Sequence, residues 1–150
     1  MDTTTRPKSA PKTVQAARAL LVLVGLGHLV IPAVMGARED ALRDQIAAQH
    51  PDFGAAEIAR SADAAVLSGA VFHGLLLLLC VLLVVRLATG RPWTRRLTTV
   101  SQLLSVVFGF FSWSSSPMFH AVIPVAAVAQ LAVVVLVWTP RPSKDFFAKR

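Results

Sequence analysis

Long apolar tracts alternate with short polar segments along the chain. The tracts cover residues 16–35, 64–86, 97–114 and 119–138, and their only charges, Arg18 and Arg86, lie at tract ends. Each tract has about 18–23 residues, enough for a helix rising about 1.5 Å per residue to cross about 30 Å of hydrocarbon. A soluble amphipathic helix would carry a polar stripe along one face. The pattern therefore predicts an all-α membrane protein with four transmembrane helices.

The distribution of charge predicts how these helices are oriented. Segments 1–18, 86–96 and 139–150 each hold four Lys or Arg residues, whereas segment 36–63 holds six acids and three Arg. Basic segments stay in the cytoplasm. We therefore expect an antiparallel four-helix bundle in the cell membrane, with both termini inside. The alternative is a cleaved signal peptide that leaves three spans, although residues 31–35 lack a clear A-x-A cleavage pattern.

The polar segments divide the chain further. We expect a disordered cytoplasmic N-terminus at 1–15, a membrane domain at 16–138 with an external loop at 36–63, and a basic cytoplasmic tail at 139–150. In the loop, Leu42 and Ile46 stand four residues apart, which predicts a short amphipathic helix at 40–49 that could lie on the membrane. Asp52 is the expected N-cap of the helix leading into the second span. In the tail, Phe146 and Phe147 beside basic residues predict contact with the inner headgroup layer.

Composition supports the membrane interpretation. The chain is 55% hydrophobic with a mean hydropathy of +0.61, and only 15% of its residues are charged, against about 25% in soluble domains. The net charge of +7 comes from clusters that flank apolar tracts. These clusters predict contact with anionic lipids at the cytoplasmic face and do not indicate nucleic-acid binding.

Several membrane activities lack the residues they require. The four tracts contain no Asp or Glu, which a proton-coupled exporter needs near mid-bilayer. No H-E-x-x-H motif is present, which argues against an intramembrane metalloprotease. The single cysteine, Cys80, excludes C-x-x-C redox chemistry. We therefore predict no catalytic and no metal-binding residue.

Histidine is the remaining candidate for chemistry. His28 and His73 each lie about ten residues, or about 15 Å, from a predicted membrane boundary, so both are expected at the midplane. Gln130 and Ser105 are expected near the same level, and a glycine precedes each histidine by about one turn (Gly25, Gly69). Three interpretations stay open: interhelical hydrogen bonding with close packing at the glycines, ligation of a b-type haem, or a polar ligand site such as one for a quinone head group. His28, His73 and Gln130 are the candidate cofactor-binding residues under the last two.

Several local features resemble those of small four-span membrane proteins of high-GC Gram-positive bacteria. They are the tract from Arg18 to His28, the break at Gln49–Asp52, the segment Gly90–Arg95, and the closing Trp138–Arg141 with Phe146 and Phe147. The resemblance covers most of the chain, but it implies no function because none is known for that group. A looser resemblance, in general plan only, is to DoxX-like four-span proteins.

The sequence favours a small, non-catalytic membrane component: an accessory, scaffold or assembly protein that contacts a membrane-protein partner or a second copy of itself. The alternative is a membrane redox or small-ligand carrier, for haem or quinone, that uses the His28/His73 layer. No cofactor is predicted under the first hypothesis.

Overall fold

The computed structural model describes residues 9–148, and all regular secondary structure in that range is helical. The helices are α1 (Lys12–Ala37), α2 (Glu39–Gln49), α3 (Ala55–Leu87), α4 (Pro92–Ser115), α5 (Val122–Trp138) and α6 (Arg141–Ala148), with a 3-10 turn at Pro117–Phe119. The predicted all-α class is confirmed. Helix α1 starts at Lys12 and buries Val14 completely, so the prediction of disorder for 1–15 is wrong from Lys12 onward. Residues 1–8, which the same prediction covered, lie outside the described range.

Three helices in the described range, α1, α3 and α4, are long and apolar enough to cross a membrane. Helix α5 has 17 residues and meets the same criterion only together with α6, across a bend of 65°. The structure thus contains three candidate spans, or four if α5 and α6 form one.

The surface of these helices is apolar. Phe110 is 77% exposed, Val125 70% and Leu67 67%. Soluble monomers rarely expose contiguous apolar surface on this scale, whereas hydrocarbon solvates it. Compared with a soluble protein, apolar residues are outside and polar residues inside. Helix α4 shows this most clearly, because its three buried residues, Thr94, Thr98 and Gln102, are all polar. This pattern is that of a membrane protein.

Helices α1 and α3 run antiparallel. Arg18 Nε donates to the Val84 carbonyl at 2.7 Å, and further along α1 a Cβ on Gly69 would meet Met35 Sδ at 3.3 Å. Residue numbers rise along α1 as they fall along α3, so the two helices have opposite directions. Helix α1 also packs against α5, and α5 against α4, while α3 and α4 touch less extensively.

We call the two ends of the molecule the tail end, which holds α6 and the 88–91 turn, and the loop end, which holds α2 and the 3-10 turn. At the loop end, Leu42 and Ile46 of α2 pack with Ala62 of α3 and with partly buried Met118. The predicted α2 helix exists, and its apolar face packs against the protein itself. The predicted cap is wrong, because α3 starts at Ala55 after Gly54, whose N–H donates to Glu57 Oε2 at 2.9 Å.

At the tail end, α6 folds back over the helix ends. Phe147 is 1% exposed and belongs to the main apolar cluster with residues of α1, α3 and α5. Ser143 is fully buried, and its hydroxyl donates to the Leu136 carbonyl at 2.8 Å while lying 2.7 Å from Thr13 Oγ1. The prediction that Phe147 lies among lipid head groups is therefore wrong, since the protein supplies its apolar surroundings.

Candidate functional site

Dense packing occupies the half of the helix assembly nearest the tail end. In α1 the buried residues run from Val14 to His28, and none of the residues from 29 to 37 is buried. The same boundary appears at Gln102 in α4 and at Gln130 in α5. On these three helices the last buried residue on the side facing the loop end is polar. A polar layer therefore marks where the packed core stops.

His28 and His73 form the part of this layer that joins α1 to α3. Their Nδ1 atoms lie 3.0 Å apart, which is a hydrogen-bond distance, and their ring centroids are 5.2 Å apart. His28 is 9% exposed, while His73 is half-buried and meets Phe72 edge-on. Because one Nδ1 must donate and the other accept, one ring carries its proton on Nδ1 and the other on Nε2. The neutral pair thus has one donor Nε2 and one acceptor Nε2, with no hydrogen-bond partner for either among residues 9–148.

The glycines near the histidines allow close approach of the helices. A Cβ on Gly25 would stand 3.4 Å from Cys80 Cβ and from Leu77 Cδ1. A Cβ on Gly69 would stand 3.3 Å from Met35 Sδ. Both contacts lie on the α1–α3 interface. The small residues therefore set the helix separation at which the two imidazoles meet directly.

This separation does not suit an iron ion between the two Nδ1 atoms. Two metal–imidazole bonds of about 2 Å each need the nitrogens about 4 Å apart, and here they are hydrogen-bonded. No group of three or more His, Cys, Asp or Glu residues that could hold a metal occurs within residues 9–148. The pair as arranged is a hydrogen-bonded contact. The cofactor-binding role of His28, His73 and Gln130 stays a prediction.

Gln130 does not join the histidines by a hydrogen bond in the described chain, and its level follows from the contacts between α4 and α5. Two contacts bracket it there: a Cβ on Gly109 would meet Ile123 Cγ2 at 3.6 Å, and the Arg95 guanidinium lies 3.8 Å from the Trp138 ring centre. Gln102 lies about two helical turns from both Gly109 and Arg95, and Gln130 lies about two turns from both Ile123 and Trp138, so the two glutamines are at the same level. Both are buried, with 3% and 5% exposure. The structure therefore places Gln130 at the same level as Gln102, a residue that we did not predict from the sequence.

A sequence signal for Gln102 existed. Thr94, Thr98 and Gln102 follow one another at intervals of four, so they share one face of a helix. That face is the buried one. Ser105, which we expected in the layer, is only half-buried.

The chain matches no known family. No family model matches it, and neither a curated protein nor a solved structure is significantly similar to it. The site must therefore be interpreted from its own geometry.

The other two histidines lie outside the polar layer. His120 stacks on Trp113, with ring centroids 4.3 Å apart, and its Nε2 lies 2.6 Å from the Trp113 carbonyl oxygen. His50 stacks on Phe53, with centroids 4.5 Å apart. Both contacts are at the loop end and join residues close in sequence. They serve local turn structure and form no second histidine pair.

The tail end carries an ordered arginine. The Arg95 guanidinium stacks on Trp138, whose Nε1–H donates to Thr99 Oγ1 at 2.6 Å, and lies 5.5 Å from the Phe147 ring centre. The only salt bridge among residues 9–148 joins Arg43 to Glu39 at the loop end. The tail-end basic side chains therefore make no ion pair with another residue of that range. They are Lys12, Arg18, Arg86, Arg91, Arg95, Arg96, Arg141 and Lys144.

Proposed function

We propose that this chain is a non-catalytic membrane component, acting as an accessory, scaffold or assembly protein built as an antiparallel four-helix transmembrane bundle. Both termini lie in the cytoplasm, so the tail end faces inward. The observation that carries the proposal is the hydrogen bonding of the buried hydroxyl groups. The buried hydroxyls are engaged in local or interhelical hydrogen bonds, as with Thr98, which donates to the Thr94 carbonyl at 2.8 Å, and Ser143.

Two surface properties support this role. The exposed residues of α3 from 70 to 85 and of α4 from 100 to 111 are all apolar, with Leu78 66% and Phe110 77% exposed. Lateral packing of these faces against another membrane helix therefore requires no desolvation of polar groups. The tail-end cations without ion pairs match the negative surface of a cytoplasmic leaflet. The partners of the proposal are therefore a membrane helix, from another protein or from a second copy, and anionic lipids.

Photo-crosslinking in the native membrane tests the proposal. A photoreactive residue is placed at Leu78 or Phe110, which are exposed, and at Leu21, which is fully buried, as the matched control. We expect a discrete protein adduct from at least one exposed position and none from Leu21. Lipid adducts alone, from both exposed positions at native expression, would overturn an accessory role exerted through these helices.

The second candidate function is that of a small-ligand carrier for haem or a quinone, and one observation favours it. The histidine pair lies at the edge of the packed core and has two Nε2 atoms without a partner among residues 9–148. The 3.0 Å contact favours a hydrogen-bonded head group over haem, since ligation of iron requires the rings to separate. A visible spectrum of protein purified in mild detergent distinguishes the two ligands: a Soret band indicates haem, and a quinone in the organic extract without that band indicates the head group.

A further inference from the structure

Aromatic rings hold the Arg95 side chain in place at the tail end. Its guanidinium carbon lies 3.8 Å from the centre of the Trp138 ring, too close for an N–H directed at the ring, so the two groups stack face to face. Trp138 is itself held, because its Nε1–H donates to Thr99 Oγ1 at 2.6 Å. On α6, the buried Phe147 ring lies 5.5 Å from the same guanidinium. Three helices, α4, α5 and α6, therefore position this one cation.

Stacking leaves the in-plane N–H donors of Arg95 unused by the ring. Arg95 makes no salt bridge with another residue of 9–148. Its Nε is buried and has no hydrogen-bond partner in that range, whereas the residue as a whole is only half-buried. The terminal Nη1 and Nη2 groups are therefore the donors that a ligand can reach.

Arg95 lies at the level of the lipid head groups. Arg95 and Arg96 are the last charged residues of α4 toward the loop end, and the exposed apolar run of this helix begins at Val100, which is 54% exposed. Five helical residues rise about 7.5 Å, and the head-group layer extends about 5–8 Å beyond the hydrocarbon on each side. Trp138 has the position expected of an interfacial aromatic residue. A lipid phosphate at this level can therefore reach the guanidinium.

The charges around Arg95 favour an anionic lipid over a zwitterionic one. Arg96 follows it directly and is exposed. Among residues 9–148, the tail end carries eight Lys and Arg residues and a single acid, Asp145. A zwitterionic head group would bring its own ammonium group into this positive field, whereas an anionic head group brings no cation.

We propose that Arg95 forms a binding site for one anionic phospholipid, whose phosphate accepts hydrogen bonds from Nη1 and Nη2 while Trp138 holds the guanidinium flat. Arginine presents two parallel N–H donors to a phosphate, and lysine does not. The site rests on the proposed function, in which the tail end faces the cytoplasmic leaflet. It goes further than the general attraction of a basic surface, since one residue selects one head group.

Native mass spectrometry of the full chain in an uncharged detergent tests the site. The first binding step is titrated with phosphatidylglycerol and, separately, with phosphatidylcholine. We expect phosphatidylglycerol to bind roughly tenfold more tightly, because only its head group lacks a cation. Inorganic phosphate at the same concentration should not displace it. Displacement by inorganic phosphate would assign the site to the free ion, and equal binding of the two lipids would remove the selectivity; either result overturns the proposal.

Matched variants assign the binding to Arg95. Arg95→Lys keeps the charge but loses the paired donors, and it should weaken the first phosphatidylglycerol step roughly fivefold. Arg86→Lys, the same substitution at an exposed arginine of the same end, should change it by less than about twofold. Equal effects of the two variants would show that the lipid contact is diffuse, and the proposal would be wrong.

A second variant keeps the test independent of how Arg95→Lys folds. Trp138→Leu retains the arginine but removes the stacked ring, and it should also weaken the first step, with helix content unchanged by circular dichroism. Unchanged binding in Trp138→Leu would contradict the role of the ring. Because these titrations are made in detergent, they can fail while crosslinking at Leu78 or Phe110 succeeds, and the reverse, so failure of the lipid site and failure of the accessory role are distinguishable.

Discussion

Phe146 lies directly over Gly90. Gly90 has φ of +68°, and a Cβ built there would stand 3.1 Å from Phe146 Cζ and 3.2 Å from the Phe146 carbonyl oxygen. Gly90, in the turn between α3 and α4, thus has a left-handed backbone conformation and also contacts α6. This contact connects the middle of the chain to its tail.

We expect Gly90→Ala to destabilise the protein. The left-handed conformation alone costs a non-glycine residue about 1–2 kcal/mol, and the added methyl group must also displace Phe146. Thermal unfolding in detergent should show a lower transition temperature. Gly74→Ala is the matched control, because nothing lies within 4 Å of its Cβ position and its φ is not positive. An equal decrease in transition temperature in the two variants would contradict a strained contact at Gly90.

The effects of substitutions at His28 and His73 on the free energy of unfolding should be weakly coupled. In a cycle of His28→Leu, His73→Leu and the double variant, we expect a coupling of about 0.6 kcal/mol, typical of interhelical hydrogen bonds in membranes, and below about 2 kcal/mol. The measurement is reversible unfolding in mixed micelles. Additive effects of the two substitutions would show that the 3.0 Å contact contributes no stability.

Phe147 should matter more than any other aromatic residue of the tail. Removing a buried Phe side chain costs about 3–5 kcal/mol in protein cores, so Phe147→Ala should release α6 and expose the tail to limited proteolysis. Phe110→Ala, at a position that is 77% exposed, is the control and should leave the cleavage rate unchanged. A tail that stays protected in Phe147→Ala would mean that Ser143 and Thr13 hold α6 without the ring.

Topology is tested by fusing a reporter that is active only outside the cytoplasm. Fusions after Ala48 and Ser115 should be active, and fusions after Gly90 and Arg150 inactive, because the basic segments stay inside. Activity at Arg150 would mean an odd number of spans. That outcome would fit three spans, with α5 and α6 outside the membrane.

The sequence by itself determined the helical class and the length of the apolar helices. Hydropathy over about 20 residues reports transfer into lipid, which depends on composition and not on the partner of each side chain. It also predicted a helix at 40–49, because the spacing of Leu42 and Ile46 is a local property. It did not predict what those residues touch. They pack on α3 and the 3-10 turn, since an apolar face is stabilised equally by lipid and by protein.

Only the tertiary structure decided how the helices are rotated against each other. In a soluble helix the polar face shows which side is outside, but here both sides of α5 are apolar and the signal is lost. The sequence indicated the depth of Gln130 but not that Gln102 is buried at the same level, since that depends on the register of α4 against α5. The same holds for His28 and His73, whose nitrogens meet because Gly25 and Gly69 bring α1 close to α3. Depth is a property of each helix separately, whereas contact is a property of the pair.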